Sequence, residues 1–210
     1  MRKMGRALIW TLSLTVAGYA VFAYAFQPVG ALVHPDIRAA FQARPAIVLT
    51  HVFAAVLALL IGPLQFWVRL RQGSPSFHRW SGRVYLGLGV LVGGLAGLYM
   101  AFHAYGGIAS RLGFSGLALG WLYTGMRAYL SIRARDIAPH RAWMIRNYAL
   151  TFAAVTLRLY VPAAVAFGVT FETAYPVIAW LCWVPNLVFA HWFVRRSVTS
   201  GRQVVVKREA

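Results

Sequence analysis

Few residues in this chain are equipped for chemistry: six histidines, one cysteine, four carboxylates and 21 lysines and arginines among 210 residues. Four histidines stand out by position. His78 and His140 each precede a long apolar stretch, whereas His51 and His103 lie toward the opposite end of such stretches. Two imidazoles on facing helices at one depth are the minimum for ligating a haem iron from both sides. Arg79, Arg83, Arg141 and Arg146 surround the first pair in sequence, and guanidinium groups hold carboxylates such as haem propionates through charge-assisted hydrogen bonds. The pattern points to a b haem with His78 and His140 as axial ligands. His51 and His103 are the candidates for a second haem on the other side, with Arg158 as its anion-holding group. A transition metal on His51 and His103 lacks a clear third ligand. The plain alternative also stands, because histidines and arginines at a membrane surface need no cofactor to explain them.

Arg158 is the costliest side chain. It lies within an apolar run, 12 residues beyond Arg146, or about 18 Å along a helix. A central arginine costs about 2.5–3.5 kcal/mol on insertion scales, so it must face the bundle interior. His140, Asn147, Thr151 and Arg158 follow at spacings of 7, 4 and 7 residues. On a helix they share one line to within about 20°. Such a stripe either holds helices together by hydrogen bonds or faces a ligand, such as an anionic lipid, a small molecule or a quinone. A second face joins His78 and His103 if their helix is continuous, through Gly82, Tyr85, Gly89, Gly93, Ala96 and Met100. Small residues there admit a neighbouring helix or a flat ligand.

Lipid is the solvent that must position these groups. Apolar types make up 60% of the chain and charged types 12%, about half the roughly 25% usual in soluble domains. Six stretches reach the ~20 apolar residues that a spanning helix needs: residues 7–26, 45–68, 82–105, 112–131, 144–168 and 174–194. The expected fold is an all-α, polytopic bundle of about six transmembrane helices in a single domain, with short connections and antiparallel neighbours. The first stretch also has features of a signal peptide, with Arg2, Lys3 and Arg6 before it and Ala23-Tyr24-Ala25 near its end, but its length favours a retained helix.

The net charge of +17 has a topological cause. Only Arg38, Arg44 and Arg111 fall opposite the N-terminus. Apart from Arg158, the other basic residues share its side, including those of the tail 195–210. That side is the cytoplasm. Both termini are expected there, in a bacterial inner membrane, and nucleic acid is excluded as a partner.

Ser74-Pro75 and Asp136 with Pro139 read as helix starts that precede the apolar stretches. Gly62-Pro63 and Pro185 are expected to kink their helices. Trp80, Trp143, Tyr175 and Trp192 suit interfacial belts. His34 and His191 read as loop and interface residues, and Asp36 and Glu172 as partners for nearby arginines. His78-Arg79 leading to Tyr85 is echoed by His140-Arg141 leading to Tyr148. No carboxylate lies inside a span, and no phosphate-binding loop, hydrolase triad or zinc-protease motif is present. Pump, hydrolase and stand-alone enzyme readings are therefore poor.

Several strings carry a resemblance. Thr50-His51-Val52-Phe53, Gly62-Pro63-Leu64-Gln65-Phe66, the run His78-Arg79-Trp80-Ser81-Gly82-Arg83-Val84-Tyr85, the run from Trp143 to Thr151, and Leu157-Arg158-Leu159-Tyr160 resemble bacterial predicted membrane proteins grouped as domain-of-unknown-function family 2306. The likeness covers about residues 45–190 and implies a polytopic membrane protein with no agreed activity. His78 followed by Gly82 is also faintly similar to the cytochrome b561 fold, which has six helices and two b haems. That likeness implies histidine pairs from the second and fourth helices and from the third and fifth. Here the third and fifth supply His78 and His140, while the fourth has no histidine, which leaves a one-haem or haem-free relative. Three readings result: an electron-transfer protein with a redox partner, a binding or transport module for an anionic lipid or small molecule, and a structural accessory subunit.

Overall fold

The computed structural model describes the backbone of residues 3–209 and the side chains of residues 4–197. Six long helices occur among the described residues: α1 Lys3–Ala25, α2 Pro45–Gln65, α3 Pro75–Phe102, α4 Gly107–Arg133, α5 Ile137–Ala166 and α6 Phe171–Ser197. Short helices Pro35–Gln42 and Val68–Gly73 fill two connections. No strand is present among the described residues.

Five of the six, all but α4, are long and apolar enough to cross a membrane. The exception has 27 residues, about 40 Å of helix. Its hydropathy is lowered by the exposed Arg111, Arg127 and Arg133 and by the small and polar side chains it buries, Ser110, Gly113, Thr124 and Gly125. α4 packs against α3, α5 and α6. Its inner face therefore meets protein rather than lipid and is selected for close approach. Its outer face keeps Leu112, Leu119, Met126 and Leu130 exposed.

Consecutive helices pack as neighbours, and α1 closes the bundle against the second half of α5. Val16 and Ala17 of α1 meet Leu59 of α2 and Val155 of α5 in one cluster. The main core joins Ala58, Tyr85, Val90, Trp121, Ala128, Met144, Tyr148 and Leu150, drawn from α2, α3, α4 and α5. Outside, Leu88, Leu91, Leu95 and Phe102 of α3 and Val188, Phe189 and Trp192 of α6 are exposed. So continuous an apolar exterior has lipid as its solvent.

α3 and α5 begin seven residues before their apolar stretches, at Pro75 and Ile137. Ser74 and Asp136 hold the N-cap positions, but neither side chain makes a capping hydrogen bond. α2 ends at Gln65 instead of running to Val68, with Pro63 in its last turn rather than at a mid-helix kink. α6 breaks at Cys182 and Trp183, and Pro185 sits in the first turn of the helix that restarts at Val184. α5 breaks at Phe152 without any proline. α3 is continuous but contains a π-helical segment, Tyr85–Val92. Its i→i+5 hydrogen bonds turn the chain less per residue than an α-helix. His103 also lies beyond the last helical turn. The common line expected for His78 and His103 is therefore lost.

Candidate functional site

The polar stripe of α5 divides into a closed middle and open ends. In the middle, Asn147 is fully buried. Its Oδ1 accepts from the Tyr85 hydroxyl at 2.7 Å, and its Nδ2 donates to Trp121 O at 2.8 Å and Thr124 Oγ1 at 2.9 Å. Thr151 Oγ1 accepts from Trp121 Nε1 at 2.9 Å and lies 3.0 Å from the Tyr85 hydroxyl. α3, α4 and α5 are thus tied at mid-bundle by groups that satisfy one another, as buried polar atoms must be. Trp121 and Thr124 are partners that the sequence reading missed. Tryptophan reads as apolar or interfacial, and Thr124 lies in a helix whose polarity gives no direction.

The glycine face of α3 is occupied by α2. Added Cβ atoms at Gly89, Gly93 and Gly97 would meet Ala58 at 2.9 Å, Ala54 at 3.1 Å and the His51 ring at 2.7 Å. The expectation of a flat ligand on this face gives way to helix packing. The echo between His78…Tyr85 and His140…Tyr148 also has a spatial counterpart. The Tyr85 and Tyr148 rings converge on Gly62 of α2, where a Cβ would lie 3.3 and 2.2 Å from them.

At the end of the bundle where α3 and α5 begin, His78 and His140 are half-buried and close enough for their charges to interact. His140 Nδ1 lies 2.9 Å from the Ala128 carbonyl of α4. A carbonyl only accepts, so Nδ1 carries the proton and Nε2 keeps its lone pair in the neutral ring. His78 Nδ1 is buried with no hydrogen-bond partner. Arg71, on the short helix Val68–Gly73, is near His78 as well and was not among the residues singled out from sequence. Arg79, Arg83 and Arg141 are exposed, and Arg79 Nη2 donates to Ser76 Oγ at 3.2 Å. Arg146 faces elsewhere. Its guanidinium covers the Trp143 ring at 4.9 Å and donates to His191 Nδ1 of α6 at 3.4 Å. Six residues past His140, it is rotated about 240° from that line.

Toward the other end, His51 Nδ1 contacts Gly93 O at 2.8 Å, while His103 is exposed and rests on Tyr99, with ring centroids 4.8 Å apart. Arg158 lies near His51, Tyr24 and Tyr19. Its Nη1 donates to Ala154 O of its own helix at 3.0 Å. Asp36 pairs with His34 Nδ1 at 3.4 Å rather than with an arginine, and no Arg–carboxylate ion pair is present among the described side chains. His34 lies in the loop before the short helix Pro35–Gln42, as expected, and its ring stacks on Phe171 at 3.9 Å. Tyr175 packs in a cluster with Tyr105, Phe114 and Phe171.

A second polar joint lies where the breaks of α5 and α6 meet. Asn186 Nδ2 donates to Ala149 O at 3.3 Å, Cys182 O at 3.1 Å and Thr156 Oγ1 at 3.2 Å. The Thr156 hydroxyl also contacts the Cys182 carbonyl. Interrupted helices free backbone groups that lipid cannot solvate, so neighbouring side chains must satisfy them.

Fold and interior together define a polytopic membrane helix bundle with a hydrogen-bonded polar core and histidines at its open ends. The chain belongs to the family described as predicted membrane protein, DUF2306, whose model matches residues 48–194. No curated protein and no solved structure matches it.

Proposed function

We propose that this protein is a membrane electron carrier that holds one b haem between His78 and His140. The observation that carries the reading is the buried, unpartnered His78 Nδ1 beside a second imidazole whose ring is fixed by Ala128. An orphaned polar nitrogen in the protein is costly, and ligation with reorientation of that ring would relieve it. The ligand set suits haem better than a bare ion. No group of three or more His, Cys, Asp and Glu side chains is placed to hold a metal among the described residues. Haem iron needs only two protein ligands, because the macrocycle supplies the other four.

A haem at this place supplies one-electron chemistry. The chain's own residues would do the rest. Ala128 O fixes the orientation and tautomer of the His140 ring. Exposed Arg79, Arg83 and Arg141 offer guanidinium groups to propionates at the aqueous rim. Because both histidines are half-buried, a haem they held would lie at the rim of the bundle, outside the closed Tyr85–Asn147–Thr151 network. We place α4 among six spans on its length, and both termini in the cytoplasm of a bacterial inner membrane on the distribution of Lys and Arg.

The test is the reduced-minus-oxidised absorbance spectrum of protein purified from haem-replete cells. A Soret band with about one haem per chain is expected. It should be lost in His78→Ala and in His140→Ala and kept in His103→Ala. A haem-replete preparation without a Soret band overturns the reading. The self-satisfied network favours a second reading, an accessory subunit whose polar interior only joins helices. Co-purification with a partner at fixed stoichiometry, without bound haem, would establish that one.

A further inference from the structure

We propose that Arg158, Tyr24 and His51 form a headgroup site for the anionic oxygen group, phosphate or carboxylate, of a membrane lipid. The site stands apart from the histidine pair and does not depend on haem. Arg158 is half-buried, eight residues before the end of α5 at Ala166. That is about 12 Å inside the helix end, deeper than a solvated headgroup layer. A guanidinium presents five N–H donors. Here only the bond to Ala154 O is made with protein, and no carboxylate pairs with the cation among the described residues. A charge held so deep without a counter-charge is costly. An anion with two or three oxygens would match both its charge and its free donors.

The neighbours point the same way. Tyr24 of α1 is near enough to Arg158 for the two to interact electrostatically, and its hydroxyl makes no hydrogen bond among the described residues. Tyr19 donates to Leu32 O at 3.4 Å, which ties α1 to the connection above the site. His51 is anchored through Nδ1 on Gly93 O, so Nε2 is the nitrogen left to face its surroundings. Polar and aromatic side chains of α1 and α2 thus lie around the cation carried by α5, with no acidic group among them.

The lipid itself is indicated by the surface next to the site. A groove between α1 and α2 is lined by Leu14, Ala17, Gly18, Val21 and Leu60, with Phe22 at its side. Leu14, Ala17, Val21 and Tyr24 follow one another at spacings of 3, 4 and 3 residues, so they share one helix face. Ala17 also shares a buried cluster with Val155, one helical turn before Arg158. An acyl chain in the groove therefore leads its headgroup toward Tyr24 and the guanidinium. A soluble anion would have no use for that groove.

The test uses the full chain in nanodiscs made of equal parts phosphatidylcholine and phosphatidylglycerol, read by native mass spectrometry after gentle release. The wild type is expected to retain phosphatidylglycerol over phosphatidylcholine. Arg158→Gln should lower that retention about tenfold, the effect of losing one charge-assisted contact. Arg146→Gln removes the same charge elsewhere and should leave it unchanged, which separates the site from general attraction to a basic protein. If Arg158→Gln does not fold, Tyr24→Phe decides, with an expected loss of about threefold. Equal retention by the wild type and the folded variants overturns the proposal. So does thermal stabilisation by inorganic phosphate in pure phosphatidylcholine nanodiscs when it occurs without a preference for phosphatidylglycerol, since the bound species is then a soluble anion. None of these readouts involves a Soret band, so this site and the haem reading fail separately.

Discussion

Replacing Gly62 by alanine places one methyl group where three helices converge. The new Cβ would lie 2.2 Å from Cδ2 and Cε2 of Tyr148 and 3.3 Å from Cε2 of Tyr85. Neither ring can retreat freely. Tyr85 is fully buried and Tyr148 is 7% exposed. The Tyr148 hydroxyl is held by Ser13 at 2.9 Å, and its ring edge meets Phe66 at 5.8 Å. Overpacking of this kind costs about 1–3 kcal/mol. Losing the Ser13 bond as Tyr148 moves adds about 1 kcal/mol, so the expected destabilisation is about 2–4 kcal/mol. Reversible unfolding in mixed micelles would measure it. Gly87→Ala is the control: nothing lies within 4 Å of its added Cβ, and helix propensity alone predicts a neutral or slightly stabilising effect of up to about 1 kcal/mol. Tyr148→Leu should remove most of the clash. If Gly62→Ala costs as much in the Tyr148→Leu background as in the wild type, within about 0.5 kcal/mol, the two sites are uncoupled and the packing account is refuted.

Asn147→Ala strips partners from the Tyr85 hydroxyl, Thr124 Oγ1 and Trp121 O and should destabilise the bundle by about 1–3 kcal/mol. The same unfolding measurement checks it, and a change below about 0.3 kcal/mol would show that the network contributes nothing. Cys182 is the single cysteine and is fully buried between α5 and α6. It should resist maleimide in the folded protein and react stoichiometrically once the chain is denatured, as mass spectrometry would show. Rapid labelling of the native form would contradict the packing of α6.

Much of the architecture was legible in the sequence because lipid imposes a simple demand: long apolar runs that satisfy their own backbone. α4 tests that rule's limit. Its exposed Arg111, Arg127 and Arg133 lower its hydropathy, and so do Ser110, Gly113, Thr124 and Gly125, which face the three helices packed against it. The middle of the α5 stripe was legible from 3.6-residue periodicity, whereas its partner Trp121 carried no polar signature. Arg146 is different. Helical rotation alone already turns it away from His140, and proximity in sequence misled where angle would not have. The π segment of α3 and the break at Phe152 have no proline to announce them. Glycines along α3 left helix and flat ligand open as occupants, because a missing Cβ says that something approaches closely and nothing about what it is.

The divided stripe leaves polar groups without protein partners toward the ends of this bundle. Asn147 and Thr151 each find partners within the network, so no side-chain polar atom of the pair is left unmet. His140 and Arg158 lie on the same line but beyond that closure. One retains an imidazole lone pair beside an orphaned neighbour, and the other retains most of its donors and an uncompensated charge. Groups that only packed helices together would be drawn into mutual satisfaction, as the middle pair is, because an apolar surround penalises every unmet donor. The persistence of unmet chemistry at both ends, around a centre where it has been eliminated, is what a bundle built to hold ligands at its rims would show.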